Sequence, residues 1–268
     1  MIRIAIVGAA GRMGRMLVGR VKADPELCLA GATETPGSDA VGLDAGTLAG
    51  VGDLGIVIVD CIENAIADAD AVIDFSAPGN TMAIAPVICG KGLGLVIGTT
   101  GLSDADRVRL ADLADNGARI MQAPNMSVGI NLLFSLCAKV APLLGDEYDI
   151  EVVEMHHNRK MDAPSGTAER LGQILAESVG LEYNSDTRHG RVGQVGARTK
   201  REIGMHALRG GDVVGDHTVI FAADGERVEL VHKASSRETF AKGALRAVKF
   251  LASAPPGLYD MQDVLGLH

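Results

Sequence analysis

Four side chains that can carry positive charge occupy five consecutive positions: His156, His157, Arg159 and Lys160. The chain as a whole has a formal net charge of -9, and a cationic cluster in an acidic protein is typical of an anion site. Since histidine exchanges protons readily near neutral pH, His156 and Lys160 are candidates for proton transfer. Adjacent strand residues point to opposite faces, which disfavours a metal held by both histidines. A solvated basic edge is the alternative interpretation.

The same segment continues into the start of a helix. Residues 162–164, Asp-Ala-Pro, favour a turn, and Ser165, Gly166 and Thr167 open a helix predicted over residues 164–180. The first N–H groups of a helix lack partners within it, so we expect these three residues to hold a carboxylate. The neighbouring cationic side chains would neutralise a second carboxylate.

A glycine-rich turn lies near the N-terminus of the sequence. Gly8, Gly11 and Gly14 follow a predicted strand and open a predicted helix, the context in which backbone N–H groups hold a pyrophosphate. Their spacing is G-x-x-G-x-x-G rather than G-x-G-x-x-G, so a plain turn is the competing interpretation. Glu34 lies twenty residues after Gly14, at the end of the next predicted strand, where a carboxylate can accept both ribose hydroxyls. This order of features predicts a dinucleotide site.

Three other turns follow strands of the same predicted sheet, at residues 74–78, 98–101 and 123–127. Ligands bind at this edge of open α/β sheets, so together the turns could line a nicotinamide pocket, although turn chemistry alone also explains their Gly, Pro and Asn residues. Thr35 follows Glu34, which leaves no arginine there for a 2′-phosphate and favours NADH over NADPH. Arg12 or Arg15 could still receive such a phosphate.

The elements that must position these residues alternate in the first half of the chain. Strands are predicted at 2–7, 27–33, 71–75, 93–98 and 119–122, and helices at 12–23, 83–91 and 103–116. This alternation indicates an α/β fold with a Rossmann-type parallel sheet. Later strands at 150–155, 200–208, 218–222 and 227–233 surround the helix at 164–180 and a long loop at 181–199. They indicate an α+β domain with a mixed, largely open sheet, and a last helix is predicted at 238–252.

Length and composition limit the classes of function. The 268 residues are 47% hydrophobic and 22% charged, which predicts two globular domains. The acidic charge and the absence of Trp disfavour nucleic acid as a partner. Four widely spaced cysteines without metal-ligand spacing indicate buried, reduced thiols and a cytoplasmic protein, and no signal peptide is evident. The longest apolar region, 130–144, is shorter than a membrane span and is predicted to be a helix packed through Val128, Leu132, Leu136, Val140 and Leu143.

These motifs closely resemble one family, the 4-hydroxy-tetrahydrodipicolinate reductases, also called dihydrodipicolinate reductases. They are nicotinamide-dependent enzymes of lysine and diaminopimelate synthesis. The resemblance spans essentially the whole chain and is carried by residues 8–14, 98–101, 123–125, 154–168, 208–211 and 234–237. Its most specific part is the H-H-x-x-K-x-D-A-P-S-G-T-A run that begins at His156.

The resemblance implies a role for individual residues. His156 corresponds to the acid/base histidine and Lys160 to the proton-donating lysine. Substrate contacts are implied for His157, Lys160, Ser165, Gly166, Thr167 and Thr100. Cofactor contacts are implied for Gly8, Ala9, Ala10, Gly11, Arg12, Met13, Gly14, Glu34, Gly98, Thr99, Thr100, Ala123, Pro124, Asn125, Met126 and Arg237. A homotetramer assembled through the second domain's sheet is also implied.

The resulting hypothesis is reduction of 4-hydroxy-tetrahydrodipicolinate, by way of dihydrodipicolinate, to tetrahydrodipicolinate with NADH or NADPH. Residues 1–127 with 237–268 would bind the dinucleotide, and residues 128–236 would bind the substrate and form the oligomer. No metal, nucleic acid or membrane is expected. The alternatives are another two-domain nicotinamide dehydrogenase and a non-catalytic NADH-sensing protein.

Overall fold

The computed structural model describes residues 1–267. The described chain divides into two compact units, Met1–Val128 with Glu238–Gly266, and Gly129–Arg237. The strands of the first unit are β1 (Ile2–Val7), β2 (Leu27–Thr33), β3 (Ile58–Val59), β4 (Ala71–Asp74), β5 (Gly94–Ile97), β6 (Arg119–Gln122) and β12 (Gly257–Tyr259). Its helices are α1 (Arg12–Ala23), α2 (Ala45–Leu48), α3 (Ile62–Ala65), α4 (Pro78–Gly90), α5 (Asp104–Asp115), α9 (Glu238–Leu251) and α10 (Met261–Leu265).

The seven strands of the first unit form one parallel sheet in the order β12-β6-β5-β4-β1-β2-β3. Successive residues of β1 alternate between two cores: Ile4 and Ile6 pack with α1 and α9, whereas Ala5 and Val7 pack with α4 and α5. Burial of both faces explains why the strand sequences are mostly apolar rather than alternating. The predicted Rossmann-type sheet is confirmed, and the strand order reverses between β1 and β4.

The second unit contains α6 (Val128–Leu144), β7 (Asp149–His156), α7 (Gly166–Ser178), α8 (Tyr183–Asp186), β8 (Thr187–His189), β9 (Ile203–Arg209), β10 (Gly215–Ala223) and β11 (Glu226–Ala234). Its five strands form a sheet in the order β11-β10-β7-β9-β8. The first two pairings are antiparallel and the other two are parallel, so the predicted mixed sheet is confirmed. Helices α6 and α7 pack against Ile150, Val152, Val219 and Phe221 on one face.

The other face of this sheet carries an ion cluster around Glu151. Arg191 donates to both carboxylate oxygens (2.8 and 3.1 Å), Arg198 Nε donates to Oε1 (3.0 Å), and His206 Nε2 lies 2.7 Å from Oε2. Gly204 on β9 lies beside Glu151, and a Cβ atom at that glycine would be only 1.7 Å from Oε2. These contacts therefore hold the segment after β8 against the sheet face opposite α6 and α7. They require glycine at position 204, because a side chain there would clash with Glu151.

Several predicted boundaries differ from the structure. Helix α4 begins at Pro78, five residues before the predicted start, because proline is well suited to the first helical turn. The predicted loop at 181–199 contains α8 and the edge strand β8. The predicted Ser103 cap is confirmed, since its side chain and that of Asp106 form a reciprocal capping box.

The apolar helix α6 is present, but the predicted packing face is wrong. Val128, Leu132, Leu136 and Leu143 are exposed, whereas Ile130, Leu133, Phe134, Cys137 and Ala141 are buried. The helix is apolar around most of its circumference, so periodicity does not select the buried face. With the following helical turn it spans 20 residues, Val128–Glu147, with a mean hydropathy of 1.7, which is long and apolar enough to cross a membrane by length and composition alone. The expectation that it is too short was therefore wrong, although core helices of soluble proteins pass the same test.

The four cysteines are free thiols, but only Cys137 is buried. Burial raises the pKa of Cys137 to about 12 and that of Cys89 to about 11, so both remain protonated near neutral pH. Cys28 and Cys61 are half-buried, which corrects the expectation that all four are buried.

Candidate functional site

The glycine turn after β1 is built for close approach of backbone segments. Gly8 has φ +75°, a conformation that favours glycine. A Cβ atom on Gly14 would lie 2.1 Å from the Gly8 carbonyl oxygen and 2.6 Å from the Ala9 Cα atom. Gly11 precedes α1 and accepts the Arg15 amide at its carbonyl (3.0 Å). Helix α1 can therefore begin directly against the turn.

The amide groups of this turn divide into two sets. Gly8 and Ala9 donate to the Thr33 carbonyl (both 3.0 Å), and Gly11 donates to Gly8 (3.1 Å). Arg12 and Met13 follow as the first helical residues, whose N–H groups have no acceptor within an α-helix. These two amides therefore lie at the positive end of α1, which suits an anion such as a pyrophosphate.

Glu34 follows β2 and turns its carboxylate toward the glycine turn. Its Oε2 accepts the Ala10 amide (3.0 Å), while Oε1 accepts the Thr35 amide (3.0 Å) and hydroxyl (3.3 Å). A carboxylate has about four acceptor sites, so one remains on Oε2. Glu34 is therefore held beside the turn with acceptor capacity for a ribose hydroxyl. Arg15 Nε donates to the Ala10 carbonyl (2.8 Å), and Arg12 is exposed.

The turns after β4 and β5 are joined by a buried carboxylate, Asp74. It accepts the Ser76 amide (3.0 Å) and hydroxyl (2.5 Å), and also the Thr81 hydroxyl. The Ser76 amide also donates to Thr99 Oγ1 (3.1 Å). Thr99 is only 3% exposed, so its side chain supports the turn, whereas the next residue, Thr100, is exposed.

Residues 123–126 follow β6 at the same edge of the sheet. Ala123 and Met126 are buried in the core, whereas Pro124 is exposed. The Asn125 side chain accepts the Ser127 amide (2.8 Å), which stabilises the turn. Strands β6, β5, β4, β1 and β2 are consecutive neighbours in the parallel sheet. The turns predicted to bind the dinucleotide therefore lie along one edge of that sheet. The remaining predicted cofactor residue, Arg237, is not part of that edge. The close glycine packing, the exposed helix start and the oriented Glu34 fit a dinucleotide.

In the second unit, the last residue of β7 is the buried His156. His156 is 8% exposed, and its Nδ1 atom lies 2.6 Å from Oε2 of Glu154, which is 1% exposed. Residues two apart on a strand share a face, so the two side chains meet directly. Burial raises the pKa of Glu154, but hydrogen bonds with His156 and Arg209 outweigh it and lower the value to about 2.

The chain reverses direction immediately after His156. The His157 amide donates to Val213 (2.8 Å), and the Lys160 amide donates to the His157 carbonyl (3.1 Å). Lys160 Nζ pairs with Asp162 (2.8 Å). Burial and, after it, the positive charge of Arg237 lower the pKa of His157. Arg237 therefore interacts electrostatically with this turn. The cationic side chains that were predicted to form an anion site therefore lie around this turn.

Helix α7 begins just beyond this turn, but Ser165 differs from its prediction. Its amide donates to Glu154 Oε1 (3.0 Å), and its hydroxyl accepts the Ala168 amide (3.2 Å) and lies 3.2 Å from His217 Nε2. Ser165 is a buried helix cap rather than an open donor. Gly166 and Thr167 are the first helical residues, Gly166 is exposed, and a Cβ atom there would meet nothing within 4 Å. The exposed start of the helix is therefore at Gly166.

Three residues to which the sequence analysis gave no individual role support this site: Glu154, Arg209 and His217. Arg209 binds both oxygens of Glu154 at 2.8 Å, and the His217 ring meets the His156 ring edge-on at 5.3 Å. The signal for Glu154 was its spacing of two from His156. Arg209 and His217 lie on strands distant in sequence, and their pairing with β7 could not be read from local pattern. Among the described residues, no group of three metal-binding side chains is present.

Several solved structures with the same fold are named as dehydrogenases, and one is named as a reductase. A dihydrodipicolinate reductase from Paenisporosarcina sp. TG-14, solved with dipicolinate bound, covers 98% of both chains with a TM-score of 0.76 at 23% identity. A myo-inositol dehydrogenase from Corynebacterium glutamicum covers 100% of this chain and 93% of its own, with a TM-score of 0.60 at 16% identity. At these identities the likeness shows the fold.

The first unit is a nucleotide-binding Rossmann-type domain, and the chain has the architecture of a two-domain nicotinamide-dependent oxidoreductase. Family models described as the N-terminus and C-terminus of dihydrodipicolinate reductase match residues 2–126 and 129–265. Relatives named 4-hydroxy-tetrahydrodipicolinate reductase are 51% identical in Hahella chejuensis, covering 100% of both chains, and 53% identical in Chromohalobacter salexigens, covering 100% and 99%. The chain belongs to the dihydrodipicolinate reductase family.

Proposed function

We propose that this protein reduces 4-hydroxy-tetrahydrodipicolinate, by way of dihydrodipicolinate, to tetrahydrodipicolinate in lysine and diaminopimelate biosynthesis. The observation that carries the proposal is a buried Glu154–His156 pair next to the cationic turn and an open helix N-terminus. The relatives that are about half identical over the full length carry the name of this activity.

The first unit would bind the dinucleotide, and the second would bind the substrate. Gly166 and Thr167 at the mouth of α7 suit one carboxylate, since the N-terminus of a helix attracts anions. Lys160, together with His157 or Arg159, suits the second, and Arg237 remains a proposed cofactor contact. The related enzyme crystallised with dipicolinate, a planar ring with two carboxylates, has the same fold. Thr100, on the first unit, is the further proposed substrate contact.

A bound reduced nicotinamide would supply the hydride. The chain's own residues then have two tasks, which are to hold both carboxylates and to deliver a proton as negative charge develops on the ring. His156 is suited to proton transfer by its pairing with a carboxylate, and Lys160 by its place at the end of the turn. Asp162 engages one of the three N–H donors of Lys160, so two donors remain for the substrate.

The cofactor is NADH or NADPH, with NADH favoured. The Glu34 carboxylate stands where a 2′-phosphate would add negative charge, and the following residue is Thr35 rather than a cation. Like charges close together are unfavourable. Arg12, which is exposed at the start of α1, is the residue that could offset this repulsion.

We further propose a cytoplasmic homotetramer that acts on a small molecule, without nucleic acid or membrane. The free thiols and the net charge of -9 support this. On the sheet face opposite α6 and α7, Leu208 and Val231 are each 49% exposed, and such apolar residues suit burial between subunits.

The test measures NADH and NADPH oxidation with freshly condensed pyruvate and aspartate semialdehyde. We expect His156→Ala and Lys160→Ala each to lower kcat by about 10²-fold or more, the scale of a lost proton transfer. The matched control Lys200→Ala removes an exposed lysine and should leave kcat unchanged. NADH binding without substrate-dependent oxidation would favour a sensor, and failure of pyridine-2,6-dicarboxylate to compete would favour another dehydrogenase.

A further inference from the structure

Glu154 connects three segments of the second unit through one buried carboxylate. Its Oε2 contacts His156 Nδ1 (2.6 Å) and accepts from Arg209 on β9 (2.8 Å). Its Oε1 accepts the Ser165 amide at the start of α7 (3.0 Å) and the second terminal nitrogen of Arg209 (2.8 Å). We propose that Glu154, fixed by Arg209, is a positioning residue that sets the tautomer of His156 and makes Nε2 the atom that donates the proton. This inference rests on the proposed function.

The tautomer follows from the charge of the carboxylate. With its pKa lowered to about 2, Glu154 is ionised near neutral pH and can only accept hydrogen bonds. The 2.6 Å contact therefore requires a proton on His156 Nδ1. During reduction the Nε2–H bond breaks, and its proton goes to the substrate that has received the hydride. The imidazole that remains is neutral and keeps its proton on Nδ1.

Arg209 prevents the carboxylate from rotating. Its two terminal nitrogens bind the two Glu154 oxygens at 2.8 Å each, a bidentate geometry that fixes orientation as well as charge. One of those nitrogens also donates to the Asp162 carbonyl (2.7 Å), and Asp162 is the residue paired with Lys160. Arg209 thus orients the histidine's partner and the end of the cationic turn together.

The space beside His156 Nε2 is kept open by Gly215 on β10. A Cβ atom at that position would lie 3.0 Å from Nε2, so a side chain there would cover the donating atom. His217, two residues further, is held neutral because burial lowers its pKa to about 3. The charged and titratable groups that surround His156 are Glu154, Arg209, His217, His157 and Lys160.

The experiment compares Glu154→Gln with Glu151→Gln in the full-length protein. Both residues lie on β7, and both carboxylates have a pKa lowered to about 2 within a cluster of arginine and histidine. Only Glu154 contacts His156, because Glu151 lies on the other face of the sheet. Glutamine keeps an acceptor for the Ser165 amide but removes the charge. The readouts are kcat, KM and the imidazole ¹⁵N spectrum.

For Glu154→Gln we expect kcat to fall by about 10²-fold with KM changed by less than about threefold, since the helix cap is retained. The neutral His156 ring should lose its fixed Nδ1–H form. Glu151→Gln should show none of these changes.

A Glu154→Gln enzyme with the wild-type kcat and the wild-type His156 tautomer would overturn the inference. If that variant does not fold, Gly215→Ala becomes the deciding variant, since it leaves Glu154 unchanged. We expect a kcat at least about tenfold lower from a methyl group beside the donor, and an unchanged kcat would refute the role of Nε2. Failure of the proposed function is distinct, because the unmutated protein would then show no substrate-dependent NADH or NADPH oxidation.

Discussion

Replacement of Gly14 by alanine tests whether the close contact between α1 and the glycine turn supports both folding and dinucleotide binding. The new methyl group would lie 2.1 Å from the Gly8 carbonyl oxygen and 2.7 Å from the Ala9 carbonyl carbon. An optimal non-bonded contact is roughly 3.5 Å, so α1 must retreat by about 1 Å or more. Overpacking of this kind typically costs about 1–3 kcal/mol, and the retreat also moves the Arg12 and Met13 amides.

The matched control is Gly19→Ala in the same helix, where the nearest atom to a new methyl group is the Val51 side chain at 3.5 Å. Alanine is favoured over glycine inside a helix by roughly 1 kcal/mol, so this variant should unfold at a slightly higher temperature. For Gly14→Ala we expect a melting temperature lower by several degrees and NADH affinity weaker by at least about tenfold, measured by calorimetry. Wild-type values of both quantities in Gly14→Ala would refute the packing argument.

Three further outcomes are expected. Thr35→Arg should improve NADPH affinity by about 10-fold or more relative to NADH in fluorescence titrations, since a charged hydrogen bond contributes about 1.5–3 kcal/mol; no change would place the 2′-phosphate elsewhere. Ser103→Ala removes the α5 cap and should lower the free energy of unfolding by about 1 kcal/mol in urea titration. Burial raises the pKa of Glu151, but bonds from Arg191, His206 and Arg198 lower it from 4.5 to about 2, so its stabilisation is present above pH 4.5 and lost as pH falls toward 2. Glu151→Gln should therefore flatten the acid-side loss of stability, and an unchanged slope would contradict this.

Local sequence pattern predicted the elements whose signals are local. The strand β1, the helix α1 and the strand β2 match their predicted bounds, because apolar runs bounded by glycine or polar residues define them. The short strand β12 was missed, since its three residues become a strand only by pairing with β6. The face of α6 was wrong for a related reason, as only its tertiary neighbours select which apolar residues are buried.

The candidate site shows the same division. The cationic residues and the helix start were visible as residue types at close spacing. The partner of Ser165 was not visible, because the Ser165 amide donates to Glu154, which lies eleven residues earlier in the chain. Nor could the sequence show that Arg209 binds that carboxylate from 55 residues away. Such contacts depend on strand register, which no local pattern specifies.

The first unit is interrupted in the chain by the second, and this order affects synthesis. Strand β6 stays an unpaired edge until β12 leaves the ribosome, and α9 arrives late to the core beside β1. At about 5–20 residues per second, translation of the intervening stretch takes several seconds or more. During that interval the inserted domain of the nascent protein is complete, but its nucleotide-binding domain is not. The unpaired edge of the incomplete sheet is a target for chaperones.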